Sequence, residues 1–170
     1  AAMQNKLTSW RTEINAATTV DQLKELHKKW FTETRVFGVF RRRINQLIRV
    51  SILEKNSARA QKRTDNQQTV LDTKRNNDKN DKFEMAMKRL AEAKAKLSEV
   101  KAKVEELKSK AQAYTSVDFN ANPADFRAKV KANSTELTQS GKKLGTIFKT
   151  LKENAELIKS IAKATPTPTP

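Results

Sequence analysis

The stretch 83–114 reads FEMAMKRLAEAKAKLSEVKAKVEELKSKAQAY, and it decides the fold. Phe83, Ala86, Leu90, Ala93, Leu97, Val100, Val104, Leu107, Ala111 and Tyr114 follow one another at steps of three and four. That is the seam of a helix packed on other helices in coiled-coil fashion. Asp81 and Glu84 have the form of a capping box and open this helix.

A seam of the same period follows downstream. Phe126, Val130, Asn133, Leu137, Ser140, Leu144, Ile147, Leu151, Asn154, Ile158 and Ile161 again step by four and three. Asn122 before Pro123 supplies the start, a capping side chain and then a proline whose missing N–H does no harm in a first turn. Two seams of equal period are expected to share one interface. The run Thr115–Ala121 between them reads as a loop, and the polar run Asn76–Asp81 reads as a turn.

Upstream the pattern is less uniform. Met3, Leu7, Trp10 and Ile14 describe a short amphipathic helix over 3–16, and Thr19 with Gln22 caps a second short helix carrying Leu23, Leu26 and Trp30. A long helix is expected from about 35, with Phe37, Phe40, Ile44, Leu47 and Ser51 on its seam. Beyond Leu53 that seam turns polar through Glu54, Ala58, Gln61, Asp65 and Gln68, which leaves its second half little reason to pack.

Composition agrees with an elongated body. Only 36% of the 170 residues are hydrophobic and 32% are charged, too few apolar groups for a thick core. Three glycines (Gly38, Gly141, Gly145) and four prolines leave few breaks, so helices are long. Gly141 and Gly145, four apart, mark at most a flexible point in the last helix. Helices over 35–75, 82–114 and 123–163, joined by short loops, run antiparallel. The expected fold is all-α: an elongated antiparallel, coiled-coil-like three-helix bundle, with two short N-terminal helices (1–34) packed at one end. It forms a single domain, 1–163, followed by a Thr-Pro spacer, 164–170. Trp10, Trp30, Phe31, Phe37, Phe40, Tyr114, Phe119 and Phe126 all map to that end as an aromatic head, read first as core and alternatively as a ligand pocket.

Several function classes are excluded by what is missing. There is no cysteine, hence no disulfide and no thiolate metal site. No apolar run approaches the roughly 20 residues of a membrane span. His27 stands beside Lys28 and Lys29 as a surface residue, and there is no Gly-rich phosphate loop, nucleophile elbow or carboxylate–histidine metal spacing. The chain reads as a non-enzyme without cofactor or metal.

Charge is the remaining lead. The net charge is +16, and residues 31–63 hold nine Arg and Lys against two acids. With Phe37 and Ile44 on the seam, Arg35, Arg42, Arg49 and Arg63 fall on the opposite face, flanked by Arg41 and Arg43. These six arginines are the candidate anion-binding residues, suited to the phosphates of nucleic acid, anionic lipid or acidic envelope polymers. The plainer reading of such a face is solubility alone. No recognised nucleic-acid module is present.

The run Thr165-Pro166-Thr167-Pro168-Thr169-Pro170 favours polyproline II, the semi-rigid geometry of a stalk. Ala1-Ala2 fits both a cleavage remnant and a cloning scar. The segments Val20–Leu26, Thr34–Val39 and Pro123–Lys152, with the triplet Arg35-Val36-Phe37, resemble a group of uncharacterised exported helical proteins of actinobacteria and candidate-phylum bacteria. Those proteins commonly place a proline where this chain has Arg41-Arg42-Arg43. The resemblance implies an extracellular or surface-held bacterial helical body, and it brings no activity, ligand or catalytic residue.

The expected function is therefore a non-enzymatic surface module, a spacer or protein-interaction domain on a Thr-Pro stalk. The alternative is a polyanion binder acting through the arginines. Self-association through a helical seam is a third reading, prompted by the polar half of the first long helix.

Overall fold

The ladder of 83–114 buries as its spacing requires. In the computed structural model, which describes residues 2–74 and 81–163 (without the side chains of residues 2, 3, 31–35, 162 and 163), all ten residues of that ladder are buried. The described residues form five helices: α1 (Ala2–Ala16), α2 (Val20–Lys74), α3 (Asp81–Gln112), α4 (Ser116–Ala121) and α5 (Pro123–Lys163). The chain is all-α. Of the expected turn Asn76–Asp81, residues 76–80 lie outside the described residues and Asp81 opens α3; the Thr-Pro run, from residue 164 on, also lies outside them.

Side-chain contacts fix how the long helices run. Lys94 reaches Gln68, Lys101 reaches Gln61 and Lys108 reaches Glu54, so numbering falls along α2 as it rises along α3. Between α2 and α5 the numbers rise together: Gln46 bonds to Val130 and Gln67 to Leu151. Helix α3 therefore runs opposite to both neighbours. The core between them is built from apolar layers such as Val50, Leu107 and Leu137 or Leu71, Leu90 and Ile158, each buried aliphatic side chain contributing about 1.5–3 kcal/mol.

The seam of α5 also buries as spaced, with Val130 only half covered. That of α2 does not. Phe37, Phe40 and Ile44 are exposed, and the buried residues are Val39, Gln46, Val50, Leu53, Ser57, Ala60, Thr64 and Leu71. From residue 43 on, this seam lies one residue before the expected one, a rotation of about 100°. The cause is pairing. Gln46 and Gln67 meet buried amides of α5, and the small Ser57 and Ala60 let the helices approach, whereas a seam through Phe37 and Ile44 would leave those amides unmatched. The second half of α2 consequently has full reason to pack: Ala60, Thr64 and Leu71 are completely buried.

Other expectations change with it. No break separates a short helix from a long one near residue 34, because α2 is continuous for 55 residues, roughly 80 Å. Its start is capped as spaced: Gln22 N donates to Thr19 Oγ1, and Thr19 N donates to Gln22 Oε1. The two N-terminal segments are not two short helices at one end of the long ones, since 20–34 belongs to α2. Among the described residues α1 touches only α2, through a Trp10–Trp30 edge contact at 6.3 Å and a Lys29–Glu13 ion pair at 2.8 Å.

The aromatic head is accordingly divided. Tyr114, Phe119 and Phe126 cluster with Val39 and Ala111, while Trp10 and Trp30 meet elsewhere and Phe37 and Phe40 face solvent. Residues 116–121, expected as loop, form α4. Thr115 accepts from Asp118 N, and the Asp118 carboxylate accepts from Thr115 N, a complete capping box. Asn122 Oδ1 then accepts from Asp125 N and starts α5 as anticipated. Gly141 and Gly145 lie within an uninterrupted α5, where a Cβ on Gly141 would stand 3.7 Å from Leu53.

Candidate anion-binding cleft

Helices α2 and α5, running side by side in one direction, leave an open cleft of about 730 Å³ between them. Arg42 and Arg49 reach it from α2, Arg127 and Lys131 from α5, with Asn45, Gln46 and Ser134 supplying neutral polar groups. Among the described residues no carboxylate lines it.

Arg49 is fixed in place. Its Nη1 donates to Ser134 Oγ at 2.5 Å, and its Nη2 donates to Thr138 Oγ1 at 2.7 Å and Ser134 O at 3.3 Å. Arg42 and Arg127 stand 5.9 and 6.0 Å from the centroid of the same Phe119 ring. The ring attracts each guanidinium and thereby holds two like charges near one another. Among the described residues none of the four cations pairs with a carboxylate. Elsewhere some lysines do, Lys103, Lys108, Lys110 and Lys129 among them. An anion entering this cleft meets concentrated positive charge that no ion pair with a described carboxylate neutralises.

The six candidate arginines are distributed unevenly. Arg42 and Arg49 come together in the cleft, so they are half-buried joints beside α5 and do not form an outward stripe. The reason is the rotated seam, which brings the face expected to be outermost against α5. Arg63 lies three heptads further on, roughly 30 Å from Arg42, with its guanidinium 5.1 Å from the Phe148 ring. Arg41 is exposed and Arg43 half-buried, both outside the cleft, and the side chain of Arg35 lies outside the described ones.

Arg127 and Lys131 lie outside 31–63, the segment where charge is in excess and from which the candidate arginines are drawn. A signal existed: each directly follows a residue of the α5 seam, Phe126 and Val130, and the two stand four apart on one flank.

A second cleft of about 530 Å³ opens near Tyr114 and Phe126, lined by Lys110 and Lys129 but also by Asp118, Asp125 and Glu136. Its charges are spent on one another, as in the 2.7 Å Lys129–Asp125 pair. Among the described residues no group of three or more His, Cys, Asp or Glu is placed to hold a metal, and no helix is long and apolar enough to cross a membrane. Comparison with protein-family models, with curated proteins and with solved structures gives no match to this chain.

Proposed function

We propose that this chain is a non-enzymatic, surface-held or exported helical module, an elongated antiparallel three-helix bundle that binds polyanions through the α2–α5 cleft. One observation carries the reading: four cations converge on one cleft whose described lining holds no carboxylate. The long helices support a second part of it, that the bundle is a stem presenting this cleft at a distance from its point of attachment. Export rests on the Thr-Pro run and on the resemblance noted in the sequence.

The test is a salt titration of binding to polyphosphate and to labelled DNA. Binding is expected to fall steeply with salt as counterions compete. Arg42→Glu with Lys131→Glu is expected to abolish it, while a control reversal at Arg59, outside the cleft, is expected to weaken it only slightly. No binding at low salt, or equal loss from both variants, would show that the cleft is not a site.

A further inference from the structure

The half of α2 that borders the cleft carries its bulkiest apolar residues on the outside. Phe37, Phe40, Ile44, Ile48 and Ile52 are all exposed, Phe40 at 57% and Ile48 at 54%. At 100° per residue they cover about a third of the helix circumference, directly opposite the buried seam, over roughly 22 Å. Phe37 and Ile44 stand one and two heptads beyond Trp30, so the stripe continues the face of α2 against which α1 packs. Ile48 also lines the basic cleft, making stripe and cleft one continuous surface.

We infer that this surface docks on an anionic phospholipid bilayer, the stripe entering the acyl boundary while Arg42, Arg49, Arg127 and Lys131 meet lipid phosphates. The inference rests on the polyanion reading of the cleft and names its partner.

Charge selects this occupant. Residues 34–53 contain five arginines and no acid, so a second copy laid on the stripe would bring arginine against arginine. Nucleic acid explains the cations but not Ile44, Ile48 and Ile52, which have no π face on which a base could stack. A wide apolar arc with basic flanks is the pattern of a helix lying in the plane of a membrane interface. Arg41, exposed within the arc, fits there too, since its long stem can lie along acyl chains with the guanidinium at phosphate level.

Flotation with vesicles tests this. The full chain is expected to float with vesicles of phosphatidylcholine and phosphatidylglycerol, and at least about tenfold less with phosphatidylcholine alone. Phe40→Ser with Ile52→Ser, two exposed positions outside the cleft lining, should leave the circular dichroism and polyphosphate binding unchanged and lower flotation by about tenfold or more. Arg42→Glu with Lys131→Glu should lose both ligands. If the wild type binds polyphosphate yet does not float, or if the apolar variant floats as well as the wild type, the lipid inference falls and the polyanion reading stands. Binding to neither ligand removes both. A concentration-dependent dimer abolished by Phe40→Ser with Ile52→Ser would overturn the inference in favour of a second copy.

Discussion

Asn133 Nδ2 donates to Gln46 Oε1 at 2.5 Å inside the helical core, and three heptads further along both helices Asn154 Nδ2 donates to Gln67 Oε1 at 3.0 Å. Each glutamine in turn donates to a backbone carbonyl of α5, Gln46 to Val130 and Gln67 to Leu151. The same bonded layer thus occurs twice, at equal spacing, between two helices that run in one direction. Any slip by less than three heptads strands buried amides, so these layers specify register at some cost in stability.

Gln46→Leu alone leaves Asn133 Nδ2 with only the longer bond to Leu107 O at 3.3 Å and is expected to cost about 1–3 kcal/mol in chemical denaturation. Gln46→Leu with Asn133→Leu should recover most of that loss, because both polar groups then leave together. With Gln67 and Asn154 also changed to Leu the helices should remain stable yet lose a single register. Cysteine pairs engineered at matched and offset positions of α2 and α5 would detect this as mixed cross-linking.

Leu53 and Ile52 are neighbours in sequence about 100° apart around α2, one 8% and the other 53% exposed. Leu53→Ala is expected to cost about 2–5 kcal/mol and Ile52→Ala less than about 0.5. A seam through Phe37, Ile44 and Ser51 would give no such contrast. Thermal or urea melts of the two variants decide between these orientations.

The α3 and α5 seams were legible because there the apolar face and the buried face coincide. On α2 they differ. Its outer face holds Phe37, Phe40, Ile44, Ile48 and Ile52, and its inner face Gln46, Ser57, Thr64 and Gln67, so hydrophobic periodicity points to the wrong side. What chose the inner face was amide pairing with Asn133 and Asn154, a long-range match that no local pattern displays. The same rotation carried Arg42 and Arg49 from the expected outer face into the cleft. The absence of a break near residue 34 was readable in principle, since no proline or glycine interrupts 20–37. Thr115 and Asp118 form a capping pair with Asp where Glu is usual, which is why α4 reads as loop.

Glu106 predicts a response to acid. Lys110 at 2.5 Å and Lys103 at 2.9 Å hold its carboxyl at about 2, below the ordinary 4.5. A depressed value means that this contribution is fully present above pH 4.5 and is lost as pH falls toward about 2. Glu106→Gln should therefore flatten the acid limb of a plot of melting temperature against pH. High salt should reduce the difference between variant and parent, since the pairs are exposed and screened.

Tyr114 gives the opposite dependence at the alkaline end. Burial pushes its phenol above the ordinary 10.0, although hydrogen bonding with Gln46 and Asn133 pulls the other way. As the only tyrosine in the chain it can be followed by phenolate absorbance without interference from another. In the folded protein it should ionise above pH 10, and denaturant should bring the midpoint back to the ordinary value. A raised value in the folded state means that the unfolded chain releases the proton first, so stability is lost as pH rises past 10. Tyr114→Phe should remove that alkaline loss. It should also cost about 0.5–1.5 kcal/mol at neutral pH, because the hydroxyl donates to Lys129 O at 3.4 Å. Denaturation of Tyr114→Phe and parent at neutral and alkaline pH separates the two effects: equal alkaline losses in both proteins would place the titrating group elsewhere.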